Sequence, residues 1–255
     1  MDTKPNENAP AKRRGRPRKA GTKGANPREH IIATAIKLFQ ERGYAKTSLS
    51  EIARQIGLDQ SSLYYWFPSK EAILECIFNF DNLKDFVNYA KTIQASETVK
   101  LYSLIVSDVT KECELPFDFF ELESLAHDNP ERFVSLFECY REFYQAMVEI
   151  IEQGIQKGEF IECSADERAV TILSIIEGLQ HHFHAKQRGE LILESSGYQV
   201  RNHTPEDIGH MAALAVLPAL AAKPIDIDAV KKDSQIIYYL NLFYILSSFI
   251  FLIYF

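Results

Sequence analysis

The segment 48–70 constrains the fold of this chain more than any other, because it predicts two short helices separated by a glycine turn. Ser48 is followed three residues later by a glutamate, a capping-box pattern that predicts the start of the first helix. Gly57 supplies the backbone freedom that a tight turn needs, and Asp59 predicts the cap of a further helix over roughly 60–66. Two helices in this arrangement are typical of a helix-turn-helix, whose second helix enters the major groove of DNA.

Two sets of side chains support this prediction. Apolar residues recur at the spacing needed for an inner face between two crossed helices: Leu49, Ile52, Ala53, Ile56, Leu58 and Leu63. The second helix carries side chains suited to base edges and phosphates: Gln60, Ser61, Tyr64 and Tyr65. Lys70, at the start of the next helix, adds an ammonium beside free backbone N–H groups, which predicts a phosphate contact. On spacing alone, a solvated helical hairpin without any DNA-binding role is the alternative.

The rest of the chain has helical patterns throughout, and no βαβ rhythm or solenoid repeat interrupts them. Asn26 and Pro27 have the types expected of an N-cap and a first helical residue, and Gly43 predicts the end of that helix. The sequence therefore predicts an all-α fold. Further helices are predicted near 69–91, 97–113 and 117–127, from Pro130 to before Gly158, from Ser164 to about Gln187, and from Thr204 to about Ala222.

The charge is distributed unevenly along the chain. Residues 1–75 contain 14 Lys and Arg against 8 Asp and Glu, a net charge of +6, whereas the remaining residues carry −13, which gives the total of −7. A basic first third on an acidic body indicates one end that faces DNA and another that faces something else. Residues 1–25 are too polar to bury a core, so we expect a disordered basic arm.

This arm contains the sequence Arg14-Gly15-Arg16-Pro17-Arg18, which resembles an AT-hook core. The resemblance implies that Arg14, Arg16 and Arg18 enter a narrow A·T minor groove beside the main contact. A generic basic tail that contacts phosphates without selecting sequence is the alternative. A free-standing architectural protein of A·T-rich DNA is a further alternative, against which the long helical remainder of the chain argues.

Over roughly residues 28–78 the sequence resembles the TetR family of bacterial transcriptional regulators. The residues that carry the resemblance are Leu38-Phe39, Gly43-Tyr44, Thr47, Ile52-Ala53, Gly57, Tyr64, Phe67 and Lys70. The family implies a homodimer on an operator with two-fold symmetry and a C-terminal domain that binds a small effector, which releases a repressor from DNA. The DNA contacts that the resemblance implies are Ser48, Ser50, Gln60, Ser61, Tyr64 and Tyr65, with Lys70 on a phosphate.

The C-terminal region has no motif of comparable specificity. Residues 117–144 are dense in aromatic side chains, which predicts an apolar pocket for a hydrophobic or aromatic effector, although core packing explains any single one of them. The pocket candidates are Phe117, Phe120, Phe137, Tyr140 and Tyr144. The helices from Ser164 and Thr204 resemble the four-helix dimer interface of the family, and we expect the helix from Ser69 to connect the pocket to the DNA-binding domain.

We therefore expect a homodimeric regulator with four regions. These are a basic arm (1–26), a helix-turn-helix domain (27–75), an effector-binding and dimerisation domain (76–225) and a hydrophobic tail (226–255).

No residue pattern indicates catalysis or metal binding. His181 and His184 share a helical face, but no Cys or carboxylate at a fitting interval completes a metal site, and no nucleophile–base arrangement stands out. We therefore expect no enzyme activity, no metal and no cofactor. The four cysteines form no CxxC pair, and the N-terminus lacks the apolar core of a secretory signal, so the expected location is the cytoplasm.

The tail 236–255 contains twenty residues without a charge and follows Lys231-Lys232. Its length fits a C-terminal membrane anchor, which would make the chain a membrane-anchored regulator. Residues 231–255 contain no Ala, Gly, Pro, Arg or Val. The amino acids that remain are mainly those with A/T-rich codons, as expected if the segment arose by a frameshift or by read-through of the original stop codon. A native anchor, an accidental extension and a packed segment are therefore three open interpretations.

Overall fold

The computed structural model describes residues 26–78 and 80–235, which are predominantly helical and contain no β-strand. An isolated bridge joins Phe160 and Ala221. The all-α prediction is confirmed. The helices are α1 (Pro27–Arg42), α2 (Leu49–Ile56), α3 (Gln60–Trp66), α4 (Lys70–Phe78), α5 (Phe80–Thr92), α6 (Glu97–Glu114), α7 (Phe119–Asp128), α8 (Val134–Gln156), α9 (Ala165–Gln187), α10 (Ile192–Ser195) and α11 (Pro205–Leu220).

Side-chain caps account for several of the helix starts. The Asn26 carboxamide oxygen accepts from the Arg28 N–H at 3.1 Å, and the Ser48 hydroxyl accepts from the Glu51 N–H at 3.2 Å. The Glu51 carboxylate forms ion pairs with arginines of α1 and α2, so only half of the predicted capping box is present. The box is complete before α11, where the Thr204 N–H donates to the Asp207 carboxylate and the Asp207 N–H donates to the Thr204 hydroxyl.

One of the predicted helix boundaries was wrong. The helix expected over 69–91 is described as α4 and α5, on either side of position 79, which lies outside the described residues. The helix expected from Pro130 starts with a separate 3-10 turn over Pro130–Arg132, and α8 begins only at Val134. Phe133 separates the two with a non-helical backbone (φ −122°, ψ 24°) while its ring is buried. Burial of this ring therefore overrides the local helical pattern. The short α10 and the helical residues 227–235 were not predicted.

The buried apolar side chains form two clusters. The N-terminal cluster joins α1 to α4 and also includes residues that follow α6 in the chain: Phe117, Leu122, Ala126, Phe133 and Leu136. The C-terminal cluster joins α5, α6, α8, α9 and α11 and extends to Val230. The N-terminal cluster thus takes members from both sides of the predicted domain boundary at residue 75, and α7 is the helix that completes it.

Helix α6 lies at the centre of the C-terminal cluster, and α11 packs closely against it. Gly209 permits this close approach, because a Cβ atom there would lie 2.9 Å from the backbone oxygen of Val106. Helices α8 and α9 pack against other sides of α6. A pocket lies between α6, α7, α8 and α9.

Two predictions concern chain ends that the structure leaves undescribed. The basic arm with Arg14, Arg16 and Arg18, and the apolar tail 236–255, lie outside the described residues. Across 26–78 and 80–235, no helix is long and apolar enough to cross a membrane.

Candidate DNA-binding surface and effector pocket

Helices α2 and α3 form a compact helix-turn-helix. Ile52, Ala53 and Leu63 are between 0% and 2% exposed and face the N-terminal cluster. Gly57 has the left-handed conformation (φ 70°, ψ 24°), and its N–H closes α2 by donating to the carbonyls of Ala53 and Arg54. The turn requires this positive φ, which residues with a Cβ rarely adopt. The inner face and turn predicted from the sequence are therefore present.

The opposite face of this motif carries the six predicted base and phosphate contacts. Tyr64 is 47% exposed and Tyr65 is 82% exposed. Also exposed are Ser48, Ser50, Gln60 and Ser61. The structure thus brings them together on one accessible surface, while their contact with DNA stays a prediction. Trp66 is partly covered and meets the Tyr65 ring edge-on, with centroids 5.5 Å apart.

Lys70 has a structural role that the sequence did not indicate. Its ammonium donates to the carbonyl oxygens of Tyr44 at 2.7 Å and Thr47 at 2.9 Å, and lies 4.1 Å from the centroid of the Tyr44 ring. Burial lowers the pKa of Lys70 below its ordinary value. Two of the three ammonium donors therefore hold the loop between α1 and α2 against α4, and one remains for a phosphate.

Replacing Lys70 by alanine is expected to weaken both DNA binding and folding. The loss of two charge-assisted hydrogen bonds to partly buried carbonyls should lower the free energy of unfolding by about 1–3 kcal/mol. Urea unfolding followed by circular dichroism measures this change. The control is Lys37→Ala, since Lys37 is 67% exposed and makes only a 3.8 Å ion pair within α1. Equal stability of the two variants would contradict the structural role.

The five aromatic residues predicted to line a pocket lie in different environments in the structure. Phe117 is buried in the N-terminal cluster, with its ring 6.3 Å from that of Phe39. Phe120 and Phe137 are 41% and 43% exposed, and the Tyr144 hydroxyl donates to Asp166 at 3.0 Å. Of these five, only Tyr140 lines the pocket enclosed by α6, α7, α8 and α9.

This pocket, called the α6–α9 pocket below, has aromatic, aliphatic and acidic walls. It contains about 460 Å³ of empty space, part of it continuous with solvent, and only about 40 Å³ is wide enough for a water-sized molecule. The pocket is therefore narrow in this conformation. Its lining residues are Asp108, Glu112, Phe119, Leu136, Cys139, Tyr140, Phe143, Leu173, Ile176, Glu177 and Gln180.

Sequence reasoning missed the three carboxyl groups and the carboxamide in this pocket. Asp108 and Glu112 are one turn apart on α6, and Glu177 and Gln180 are three residues apart on α9. Both helices are otherwise largely apolar where they pack. These groups could have been found from the sequence as acidic residues that interrupt the apolar face of an amphipathic helix. Buried charges are rare unless they are paired or functional.

The pKa values of all three carboxyl groups are raised, first of all by burial. Asp108 has its pKa raised to about 7, and Glu112 and Glu177 have theirs raised above their ordinary values. The neighbouring carboxyl groups raise the pKa values of Asp108 and Glu112 further, because like charges disfavour ionisation. The Tyr140 hydroxyl donates to Glu177 at 2.7 Å, which stabilises the ionised form of that group.

Helix α7 contacts both the pocket and the helix-turn-helix domain. Phe119 lines the pocket and stacks on Tyr140, with ring centroids 5.7 Å apart. On the other side, a Glu121 carboxylate oxygen lies 3.3 Å from the N–H of Ala45, in the loop between α1 and α2, and accepts from it. The helix from Ser69 was expected to connect the pocket to the DNA-binding domain, and this stays a prediction. Helix α7 makes both contacts among the described residues.

Two histidines of α9, His181 and His184, make polar contacts with residues outside that helix. His181 Nδ1 lies 2.6 Å from the Asp118 carboxylate, and His184 Nε2 lies 3.2 Å from the Glu112 backbone carbonyl. In the described part of the chain, no group of three or more His, Cys, Asp or Glu side chains is placed to hold a metal ion.

Comparison with known proteins gives a family match to residues of α1 to α4. Residues 31–77 match the sequence profile described as bacterial regulatory proteins, tetR family. The HTH-type transcriptional regulator YuxN of Bacillus subtilis is 45% identical over 56 residues, which are 22% of this chain and 19% of that protein. IcaR of Staphylococcus aureus, a negative transcriptional regulator of the biofilm operon icaADBC, is 39% identical over 69 residues, 26% of this chain and 37% of that protein. These matches thus span less than two thirds of either relative.

The likeness in fold extends over most of the chain. The crystal structure of Mycobacterium smegmatis AmtR is similar with a TM-score of 0.60 and 22% sequence identity, and the match covers 86% of this chain and 96% of that one. The C-terminal helical bundle therefore shares its architecture with a solved protein, although its sequence has diverged.

Proposed function

We propose that this chain is a regulator of the tetR family, a transcriptional repressor that a small effector releases from DNA. The family comprises transcriptional regulators and not enzymes, so the proposed activity is binding rather than turnover. IcaR, a negative regulator by its description, is 39% identical to this chain over 69 residues, which supports repression.

The proposed DNA-binding surface is the exposed face of α2 and α3. Gln60 can bond adenine with both ends of its carboxamide, Ser61 can contact a base of either type, and Tyr64 and Tyr65 can reach bases or phosphates. Residues 1–75 carry a net charge of +6, which favours binding of the negatively charged DNA to this part of the chain. In this proposal the basic arm adds minor-groove contacts through Arg14, Arg16 and Arg18.

We propose that a second copy of the chain covers the outer face of α9 and α11. These helices expose apolar side chains that a monomer would leave in water: Val170 is 54% exposed, Met211 39% and Leu214 40%. Small residues lie near them in the sequence and permit close helix packing, among them Ser174, Gly178 and Ala215. A two-fold axis would use the same surface on both subunits and would place two α3 helices on successive major grooves.

The observation that carries the regulatory part of the proposal is the double contact of α7. An effector that enters the α6–α9 pocket would displace Phe119, which belongs to the same helix as Glu121 and hence acts on the loop before α2. Effector binding would favour a subunit arrangement in which the two α3 helices no longer match grooves about 34 Å apart.

Nuclease footprinting of DNA that flanks the gene for this chain tests the proposal. We expect a protected site with two-fold symmetry, and sedimentation equilibrium should show a dimer in solution. A variant that lacks residues 1–25 should keep the symmetric footprint with lower affinity, because the arm only supports α3. Loss of all DNA binding in that variant would favour an architectural A·T-rich DNA-binding protein instead, and a monomer without any footprint would overturn the proposal.

A further inference from the structure

The α6–α9 pocket contains three acidic side chains and no basic one. Asp108 is 7% exposed, and Glu112 and Glu177 are partly buried beside it. Lys111 is the nearest basic residue on α6, but its ammonium lies 5.3 Å from the centroid of the Phe86 ring and forms no salt bridge with Asp108. Among the described residues, neither Asp108 nor Glu112 has a salt-bridge partner, although the charge of Lys111 acts to lower the pKa of Asp108. A cluster of buried carboxyl groups without a salt bridge destabilises a fold, so stability does not explain this arrangement.

A second and independent feature of the pocket is an unpartnered acceptor. Gln180 is 2% exposed and lines the same pocket, yet its carboxamide oxygen forms no hydrogen bond with any described residue. A buried acceptor without a donor destabilises the fold, because it has lost its hydrogen bonds to water. A ligand that brings an N–H donor would satisfy this oxygen.

The remaining walls are suited to the flat or apolar part of a cation. Phe119 and Tyr140 stack nearly parallel, with an angle of 13° between their rings, and Phe143 lines the pocket with them. Aromatic ring faces attract cations, and this attraction is strongest where water is excluded. The Tyr140 hydroxyl holds Glu177 at 2.7 Å, so this carboxylate is positioned within the aromatic wall.

We propose that the effector of the α6–α9 pocket is an organic cation with N–H donors, such as a protonated amine or an amidinium, attached to an apolar or aromatic body. Asp108, Glu112 and Glu177 neutralise its charge, Gln180 accepts one of its N–H groups, and the aromatic walls cover its body. The effector role of this cation depends on the repressor function proposed above, whereas its binding does not. The sequence predicted a hydrophobic or aromatic effector, and the positive charge is the addition that the pocket indicates.

The carboxyl groups make binding depend on pH. Several groups face Asp108 from the surrounding helices: Lys111 and Glu112 of α6, Cys139 and Tyr140 of α8, and Glu177 of α9. Because the pKa of Asp108 is about 7 in the empty pocket, a cation must displace a proton at lower pH. Affinity should therefore rise as the pH increases through about 7, and binding below this pH should release protons.

The free energy of unfolding of the ligand-free protein depends on pH in the opposite direction. The raised pKa of Asp108 means that the folded chain holds this proton more tightly than the unfolded chain, whose value is near 3.8. The stabilisation from this group is complete below that value and is lost as the pH rises through about 7. Asp108→Asn should therefore raise the melting temperature at neutral pH while it weakens cation binding.

Isothermal titration calorimetry of the full chain with benzamidine tests the inference. Benzamide and benzoate are the matched probes, because they keep the ring and replace the amidinium by a neutral or an anionic group. We expect benzamidine to bind at least about tenfold more tightly than either, since its amidinium can donate charge-assisted hydrogen bonds to the carboxyl groups. Asp108→Asn and Glu112→Gln should each weaken benzamidine about tenfold. The control Glu152→Gln, at an exposed position of α8, should leave its affinity unchanged.

The outcomes separate this inference from the proposed function. Equal affinity for benzamidine and benzamide, no binding of benzamidine at millimolar concentrations, or unchanged affinity in both pocket variants would each overturn the cation site. If benzamidine binds as expected but the footprint does not respond to it, the cation site is confirmed, while the effector role assigned to this cation is wrong. If no footprint forms at all, the proposed repressor function fails and the binding result still stands.

Discussion

Tyr64→Ala is expected to lower the affinity for operator DNA about tenfold to a hundredfold, the range expected for the loss of one residue that contacts DNA directly. Tyr64 is 47% exposed on α3, while its neighbour Leu63 is fully buried and holds the helix in place. Truncation at Tyr64 should therefore remove a DNA contact without loss of packing. Electrophoretic mobility shifts with the footprinted DNA measure the affinity, and a melting curve verifies that the fold is intact.

The matched control for this variant is Tyr198→Ala. Tyr198 is 70% exposed and follows α10, well separated in the chain from the helix-turn-helix. It should leave both the affinity and the melting temperature unchanged. Equal affinities of the two variants for operator DNA would exclude Tyr64 from the DNA interface. If Tyr64→Ala binds weakly, Tyr64→Phe shows whether the hydroxyl or the ring makes the contact.

Phe117→Ala is expected to cost about 3–5 kcal/mol of unfolding free energy, as truncation of a buried phenylalanine does. Phe117 is 4% exposed, and its ring lies 6.3 Å from Phe39 and 6.4 Å from Tyr44. The side chain belongs to the segment before α7 but completes the N-terminal cluster. Its removal should leave a cavity between the helix-turn-helix domain and the C-terminal bundle, which urea unfolding detects.

Phe120→Ala provides the control for this substitution. Phe120 is three residues further along the chain and 41% exposed, so the same truncation should cost less than about 1 kcal/mol. If the two variants were equally stable, Phe117 would not be a packing residue of the N-terminal cluster. In a Phe117→Ala protein that is still folded, the footprint should also respond more weakly to a bound effector, because the contact between α7 and α1 is loosened.

The helix-turn-helix was predictable because its signals are local. The Ser48 cap, the positive φ at Gly57 and the apolar spacing of Ile52, Ala53 and Leu63 all act within a few residues of where they are needed. The family match over residues 31–77 rests on the same segment. The late start of α8 was not predictable in this way, because burial of Phe133, a tertiary contact, decides it.

Lys70 shows how a correctly chosen residue can have a further role that only the fold reveals. Its position in the motif indicated a phosphate contact, and this stays a prediction. The carbonyl oxygens of Tyr44 and Thr47, which it also binds, come from a loop more than twenty positions earlier. No pattern of residue types along the chain specifies which backbone oxygens an ammonium will meet.

The sequence by itself determined the all-α class, the DNA-binding motif and the exposed residues on its outer face, because helix caps, turns and amphipathic spacing are properties of neighbouring residues. Only the tertiary structure decided which aromatic side chains line a pocket and which complete a core, and it separated Tyr140 from Phe117. It also brought Asp108 of α6 and Gln180 of α9 to the same pocket. Such a site depends on how distant helices pack, and packing depends on the whole set of buried contacts rather than on any one segment.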